Sequence, residues 1–367
     1  MIIGVPKEIK NHEYRVGLTP ASVAALVRDG HRVLVQLHAG HGIGATTHDY
    51  VQVGAEVVAT AAEVFASSDM IVKVKEPQPQ ECAMIRGDQI IFTYLHLAAD
   101  PVLTQSLINT GATCIAYETV TDDFGRLPLL APMSEVAGRM APQVGAAALQ
   151  KANGGSGVLL GGVPGVAPGI VTILGGGSVG MNAAKIALGM GADVTIFDSS
   201  LPRLRELDNI FQGRVKTLYS MEYSIDRAII NSDLVVGAVL ITGESAPKLI
   251  GIEHLQKMRE GSVIVDVAID QGGCTEFSRA TTHADPTFTV NGIVHYCVAN
   301  MPGAVPKTST YALNNATLPF ARKIANMGWV EACRADRHLR NGLNIVTHLV
   351  THEGVAKSLG LNYCEWQ

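Results

Sequence analysis

Apolar positions along the first 128 or so residues fall in short runs separated by amphipathic segments. MIIGVP opens as a strand, and Thr19-Pro20 then starts a helix ending near Gly30, with proline suited to the first helical turn. RVLVQL, MIVKVK, QIIFTYL and TCIAYE follow as strands, with helical stretches such as TAAEVFASS between them. This is the β-α-β rhythm of a parallel sheet buried on both faces. After LPLLAP, Ser134 reads as the N-cap of a long helix, SEVAGRMAPQVGAAALQKA, which Pro142 should kink or break. A glycine-rich passage leads into a second β-α series, with strands expected at VTIL, DVTIFD, VKTLYS, DLVVGAV, SVIVDVAI and TFTVNGIVHYCV. From Pro306 the pattern turns helical, in STYALNNATLPFARKIANMG and onward, and this tail is expected to pack back on the first domain.

A length of 367 residues exceeds what one core usually serves, so two domains are expected. Aromatics are only 5% while glycines number 38, which suits an α/β protein with tight strand-to-helix turns better than a β-sandwich. A net charge of −5 without any block of like charge argues against a nucleic-acid surface. Cys82, Cys114, Cys274, Cys297, Cys333 and Cys364 are scattered, which reads as reduced, cytoplasmic thiols and gives no metal site. MIIGVPKEIK enters structure directly, so no targeting peptide is expected. Nothing between Lys151 and Lys185 is charged, but glycines and Pro164 and Pro168 interrupt that stretch. It reads as the buried strand and turn of a nucleotide fold, not as a membrane span. There is no solenoid repeat and no low-complexity linker.

Gly175, Gly177 and Gly180 form G-x-G-x-x-G directly after an apolar strand and at the opening of a helix. The first glycine permits the turn, the second lets backbone approach a pyrophosphate, and the third lets helix and strand pack closely. The phosphates would rest on N–H groups at the helix N-terminus. The next strand ends at Asp198, where a carboxylate can accept from both adenosine ribose hydroxyls and repel a 2′-phosphate. Arg203 could serve a 2′-phosphate, start a surface helix or stack on adenine; NAD is the expected cofactor.

In an open α/β sheet, ligands gather at the carboxyl ends of strands. Lys75 ends MIVKVK, His96 follows QIIFTYL, Glu118 ends TCIAYE, Asp270 ends SVIVDVAI and Asn300-Met301 follow YCVA, while Arg15 lies between an NHEY loop and a helix start. Each has a plainer alternative. Loop cations are usually solvated, His96 between Leu95 and Leu97 could be a satisfied core residue, Asp270 could cap a turn, and Glu118 could orient Lys75. Together they fit amino-acid oxidation. A guanidinium holds a carboxylate through two parallel bonds, and a histidine moves protons near neutral pH.

The segments GVPKEIKNHEYRVGLTP, IVKVKEP, FTYLHLAAD, APMSEVAGRMAPQVGA, GVLLGGVPGV, VDVAIDQGGC and YCVANMPGAVPKTSTYALNNATLP closely resemble bacterial alanine dehydrogenases, in order and along nearly the whole chain. The resemblance implies that Arg15 and Lys75 bind substrate and that His96 and Asp270 act in acid–base catalysis. It places nicotinamide-side contacts at Met133 and Ser134 and at Val298, Ala299, Asn300 and Met301. Ser178, Val179 and Asp198 match the cofactor fingerprint. Arg203, Ser220, Val239, Leu240 and Arg279 fall where further cofactor contacts are expected, as do Val267, Ala268 and Ile269 ahead of Asp270. The implied fold is α/β, with two Rossmann-like doubly wound parallel-sheet domains linked by long helices and the active site in the cleft between them. Residues 1–128 plus 307–367 would form the substrate domain and 129–306 the NAD-binding domain. The implied reaction is reversible oxidative deamination of L-alanine to pyruvate and ammonium, with hydride transfer to nicotinamide C4, in a homohexamer. The rivals are an extramembrane transhydrogenase component, a saccharopine dehydrogenase and a non-catalytic NADH sensor. The joint presence of Arg15, Lys75, His96 and Asp270 speaks against the first, the short motifs fit the second less well, and retention of the acid–base residues speaks against the third.

Overall fold

The computed structural model describes residues 1–239 and 246–366. The chain divides into two compact units, Met1–Met133 with Gly303–Gln367, and Ser134–Pro302. In the first, β1 (Ile2–Val5), β2 (Arg32–Gln36), β3 (Glu56–Val58), β4 (Met70–Val72), β5 (Ile90–Thr93) and β6 (Thr113–Ala116) pair in parallel. Their order is β3-β2-β1-β4-β5-β6. Ile71, Val72, Ile91, Phe92 and Ile115 are wholly buried, as a sheet covered on both faces requires. The first helix, Pro20–Arg28, begins where Thr19 accepts the Ser22 N–H and proline occupies the first turn.

The second unit repeats this winding. β7 (Ile170–Leu174), β8 (Asp193–Asp198), β9 (Lys216–Tyr219), β10 (Leu234–Gly237) and β11 (Val263–Asp266) are followed by β12 (Thr287–Val290) and β13 (Ile293–Tyr296). The order is β12-β13-β11-β10-β7-β8-β9, parallel except for β12. TFTVNGIVHYCV is therefore not one strand but a hairpin. Asn291 and Gly292 both take left-handed backbone, φ 49° and 77°, which is what a two-residue hairpin turn demands.

The tail also departs from expectation. After the helix Pro306–Met327 and two shorter ones, β14 (Leu343–Val346) and β15 (Leu349–Val350) add antiparallel strands beyond β6, before a last helix, Glu353–Leu359. Both sheets are thus parallel with antiparallel edges. Ser134 is not an N-cap: the helix is Ala131–Ala148 and already contains Pro132, whose missing N–H is one that no helix start could pair. It also continues through Pro142, because the buried Val136, Ala137, Met140 and Ala141 anchor it against the loss of one hydrogen bond. Among the described residues no helix is long and apolar enough to cross a membrane.

Candidate functional site

In each unit the strand order reverses at one point, between β1 and β4 in the first and between β7 and β10 in the second. Loops leaving the carboxyl ends of strands beside such a reversal diverge to opposite faces and open a crevice. Many of the sequence candidates lie on loops or turns at these ends, and others lie in β8 or in helices.

In the first unit, the loop after β1 carries Arg15. Gly17 lets this segment lie flat against the end of β4: a Cβ there would stand 2.3 Å from the Val72 carbonyl oxygen. Buried Asn314 on the helix Pro306–Met327 ties the segment down, taking the Thr19 N–H at 2.8 Å and giving to the Gly17 carbonyl at 3.1 Å. Arg15 is itself buried, with its Nε and Nη2 donating to Glu13 at 2.7 and 2.6 Å and Nη1 to the Met133 sulfur at 3.0 Å. Burial opposes the charged form, but the hydrogen bonds and charge of Glu13 outweigh it and hold the guanidinium above its ordinary pKa.

Lys75 does not end a strand. β4 stops at Val72, and Lys75 is half-buried on the following loop, its carbonyl accepting the Thr93 hydroxyl at 3.0 Å. Lys73, the next residue after the strand, sits in a wholly buried cage. Its ammonium donates to Glu8 at 3.1 Å and Glu81 at 2.8 Å, and Glu8 also takes the Val74 N–H at 2.6 Å. Desolvation would lower the Lys73 pKa, but the two carboxylates raise it further and keep it charged.

His96 is exposed, not a core residue, and sits in left-handed backbone at φ 53° just past β5. Glu118, on a 3-10 turn past β6 and not at a strand end, accepts the His96 N–H at 2.6 Å and that of Leu95 at 3.1 Å. The imidazole stacks on Tyr94 at 5.8 Å, 10° from parallel, and the buried Tyr94 hydroxyl donates to the Leu129 carbonyl. A few per cent of non-glycine residues adopt such backbone, and here two N–H bonds to one carboxylate fix it.

In the second unit, Gly175 leaves β7 at φ 101°, and Ser178 opens the helix Ser178–Gly189 with no side chain capping its N-terminus. A Cβ on Gly180 would stand 1.8 Å from the Gly175 carbonyl oxygen, whereas one on Gly177 would meet nothing within 4 Å among the described residues. The third glycine thus closes the helix onto the turn, and the second leaves the approach open. Val179 is backed by Gly138, where a Cβ would stand 2.3 Å from its carbonyl oxygen. Asp198 ends β8 and spans the turn, taking the Gly176 and Ser200 N–H groups at 2.8 Å each. Each carboxylate oxygen keeps acceptor capacity for a ribose hydroxyl. Arg203 donates from Nε to the Gly176 carbonyl at 2.6 Å and pairs with Glu206, so it braces the glycine turn. Turn, open helix end and acid fit a pyridine dinucleotide.

Other cofactor candidates fall on the same rim. Ser220 follows β9 and donates its N–H to the Asp198 carbonyl, and Val239 lies just past β10 against the apolar core; Leu240 lies outside the described residues. Asp270 does not end β11. That strand stops at Asp266, and Val267, Ala268, Ile269 and Asp270 form a 3-10 turn with Asp270 exposed. Buried Asp266 ends the strand by accepting the Ala268 N–H at 3.1 Å and the Cys274 N–H at 2.9 Å. Arg279 lies over the Phe288 ring at 4.2 Å. Val298 bridges to Thr281, Ala299 donates to the Thr281 carbonyl, and the Asn300 carbonyl meets the His283 imidazole at 2.8 Å, ahead of buried Met301. Ser134 is half-buried in the first turns of its helix. Sequence reading missed Glu13, Lys73, Tyr94, Asp266 and Asn314; the first four lie within four residues of the candidates Arg15, Lys75, His96 and Asp270, whereas Asn314 lies far from any of them.

These features define a pyridine-nucleotide-dependent oxidoreductase. The family models "Alanine dehydrogenase/PNT, N-terminal domain" and "Alanine dehydrogenase/PNT, C-terminal domain" match residues 4–137 and 141–353. The chain belongs to this alanine dehydrogenase family. It is 56% identical to alanine dehydrogenase of Halomonas elongata over 365 residues, covering 100% of this chain and 98% of that one. A solved L-alanine dehydrogenase superposes with a TM-score of 0.95 at 53% identity, over 98% of this chain and 99% of that one. A transhydrogenase from Sinorhizobium meliloti shares the fold, with a TM-score of 0.81 at 24% identity over 96% and 99% of the two chains.

Proposed function

We propose that the protein catalyses the NAD-dependent, reversible oxidative deamination of L-alanine to pyruvate and ammonium. The end-to-end match to alanine dehydrogenases carries this reading. The first unit handles substrate and the second the dinucleotide. Arg15 takes the substrate carboxylate, a role suited to a guanidinium kept charged by Glu13. Lys75 holds the carbonyl oxygen. Bound NAD supplies the acceptor for the electron pair of the Cα–H bond. His96 takes a proton from the water that adds to the resulting iminium carbon, and its rigid backbone sets where that proton goes. Asp270 is the second proton carrier, and ammonia leaves as the carbonyl forms. NAD is preferred over NADP because Asp198 would face a 2′-phosphate. The active assembly in this reading is a homohexamer, which sedimentation of the purified protein tests.

The deciding experiment follows the reduced-nicotinamide absorbance with NAD and L-alanine, then with NADP and with D-alanine. A rise with NAD and L-alanine alone is expected. No rise, in protein that binds NADH, removes the reading.

A further inference from the structure

Resting on that assignment of substrate to Arg15, we propose that Glu13 is a positioning residue that dictates how the substrate carboxylate docks. A guanidinium carries five N–H donors in one plane. Glu13 occupies its Nε–Nη2 edge as a bidentate pair, Oε1 at 2.7 Å and Oε2 at 2.6 Å. Oε1 also takes the Arg15 backbone N–H at 3.1 Å, so the fork is tied to its own chain and cannot swing without breaking three bonds. A second carboxylate chelating the same fork must use the Nη1–Nη2 end. There Nη1 rests on the Met133 thioether at 3.0 Å. Thioether sulfur is a weak acceptor, and a carboxylate displaces it readily.

Both members of the clamp are buried, Arg15 at 2% and Glu13 at 5% exposure. Separating such a pair is strongly unfavourable, so it persists while substrate comes and goes. Two consequences follow. The incoming carboxylate meets a fork whose plane is already set, which fixes the direction of Cα–H. It also meets the negative charge of Glu13 across the guanidinium, so anion affinity is held down while orientation is gained.

The test uses the full-length protein with Glu13→Gln and Glu13→Asp. Rates are expressed per mole of folded first unit, read from fluorescence of Trp329 and Trp366, which pack together there at 5.5 Å. A wild type that forms no NADH from L-alanine overturns the substrate assignment and this inference with it. With an active wild type, Glu13→Gln removes the repulsion and loosens the clamp. Its kcat falls about tenfold or more, the scale of a lost orientation, while its KM for pyruvate falls as well. Glu13→Asp keeps the charge, and so the fold, but draws the fork back by one methylene. Its kcat falls similarly, and its KM for pyruvate does not fall. A purely structural role would reduce the yield of folded protein and leave kcat per folded molecule and KM as they were. That result in both variants overturns the inference and leaves the substrate assignment standing. A Glu13→Gln variant whose KM for pyruvate rises at unchanged kcat does the same.

Discussion

His96 and Asp198 are each held by backbone, one as the recipient of a clamp and the other as its source. Glu118 binds the N–H of His96, and among the described residues the imidazole adds only the Tyr94 stack to its own loop. His96→Ala should therefore remove a proton carrier without disturbing the chain, lowering kcat by roughly 10²–10⁴-fold at unchanged NADH affinity. Near-normal turnover would take His96 out of the mechanism. Asp198 is different, because its carboxylate also secures the Gly176 and Ser200 N–H groups. Asp198→Ala should both weaken NADH binding and relax the preference for NAD over NADP. A variant that binds NADH less well but keeps full discrimination would refute the ribose role. Both residues were legible in the sequence because strand ends and a glycine turn point to them. Asn314 was not: it meets Thr19 across 295 positions, and no local pattern carries such a contact.

At the level of elements, alternation and glycine spacing located most strands but not their ends. MIVKVK reads as one strand through Lys75, yet the strand stops at Val72, and Lys73 beyond it enters a buried cage of Glu8 and Glu81 that no alternation pattern announces. SVIVDVAI is likewise apolar throughout, and only the capping bonds of Asp266 divide strand from turn. The Asn291-Gly292 pair was a readable hairpin signal inside an apolar run. β14 and β15 are short strands beside a helical tail; β14 pairs with β6 and β15 with β14, a placement set by tertiary contact. The tight junction of the glycine turn with its helix is testable. Gly180→Ala would place a methyl 1.8 Å from the Gly175 carbonyl oxygen, with backbone on the far side and no side chain to yield. The helix must then lift from the turn, moving the N–H groups that would meet the pyrophosphate. We expect the Kd for NADH to rise at least about tenfold, in line with the sensitivity of such sites to displacements near 1 Å. Gly177→Ala, with open space at the same atom, is the control for altered helix propensity; equal effects in the two variants would count against a steric cause.

Over the whole molecule, both sheets run in the same order around a central reversal, which the β-α rhythm suggests but cannot specify. The two cores differ in one respect that bears on stability. The second unit buries His295 on β13 at 0% exposure, stacked on Phe288 at 5.1 Å, and neither ring nitrogen meets a hydrogen-bond partner among the described residues. Desolvation lowers its pKa from 6.5 to about 4. For a base with a depressed folded-state pKa, the unfolded chain takes up the proton first. Stability is therefore complete above 6.5 and is lost as pH falls from there toward 4, where the folded form also protonates. A shift of that size corresponds to about 3 kcal/mol over the window. His295→Phe keeps the stack with Phe288 and removes the titration. Urea midpoints should show the variant gaining on the wild type as pH is lowered through the window, whatever the packing change adds at neutral pH, since that offset is the same at every pH. A difference between the two proteins that stays constant from neutral pH to 4 would mean that water or relaxation already serves the ring in the native state, and that acid loss in this fold originates elsewhere.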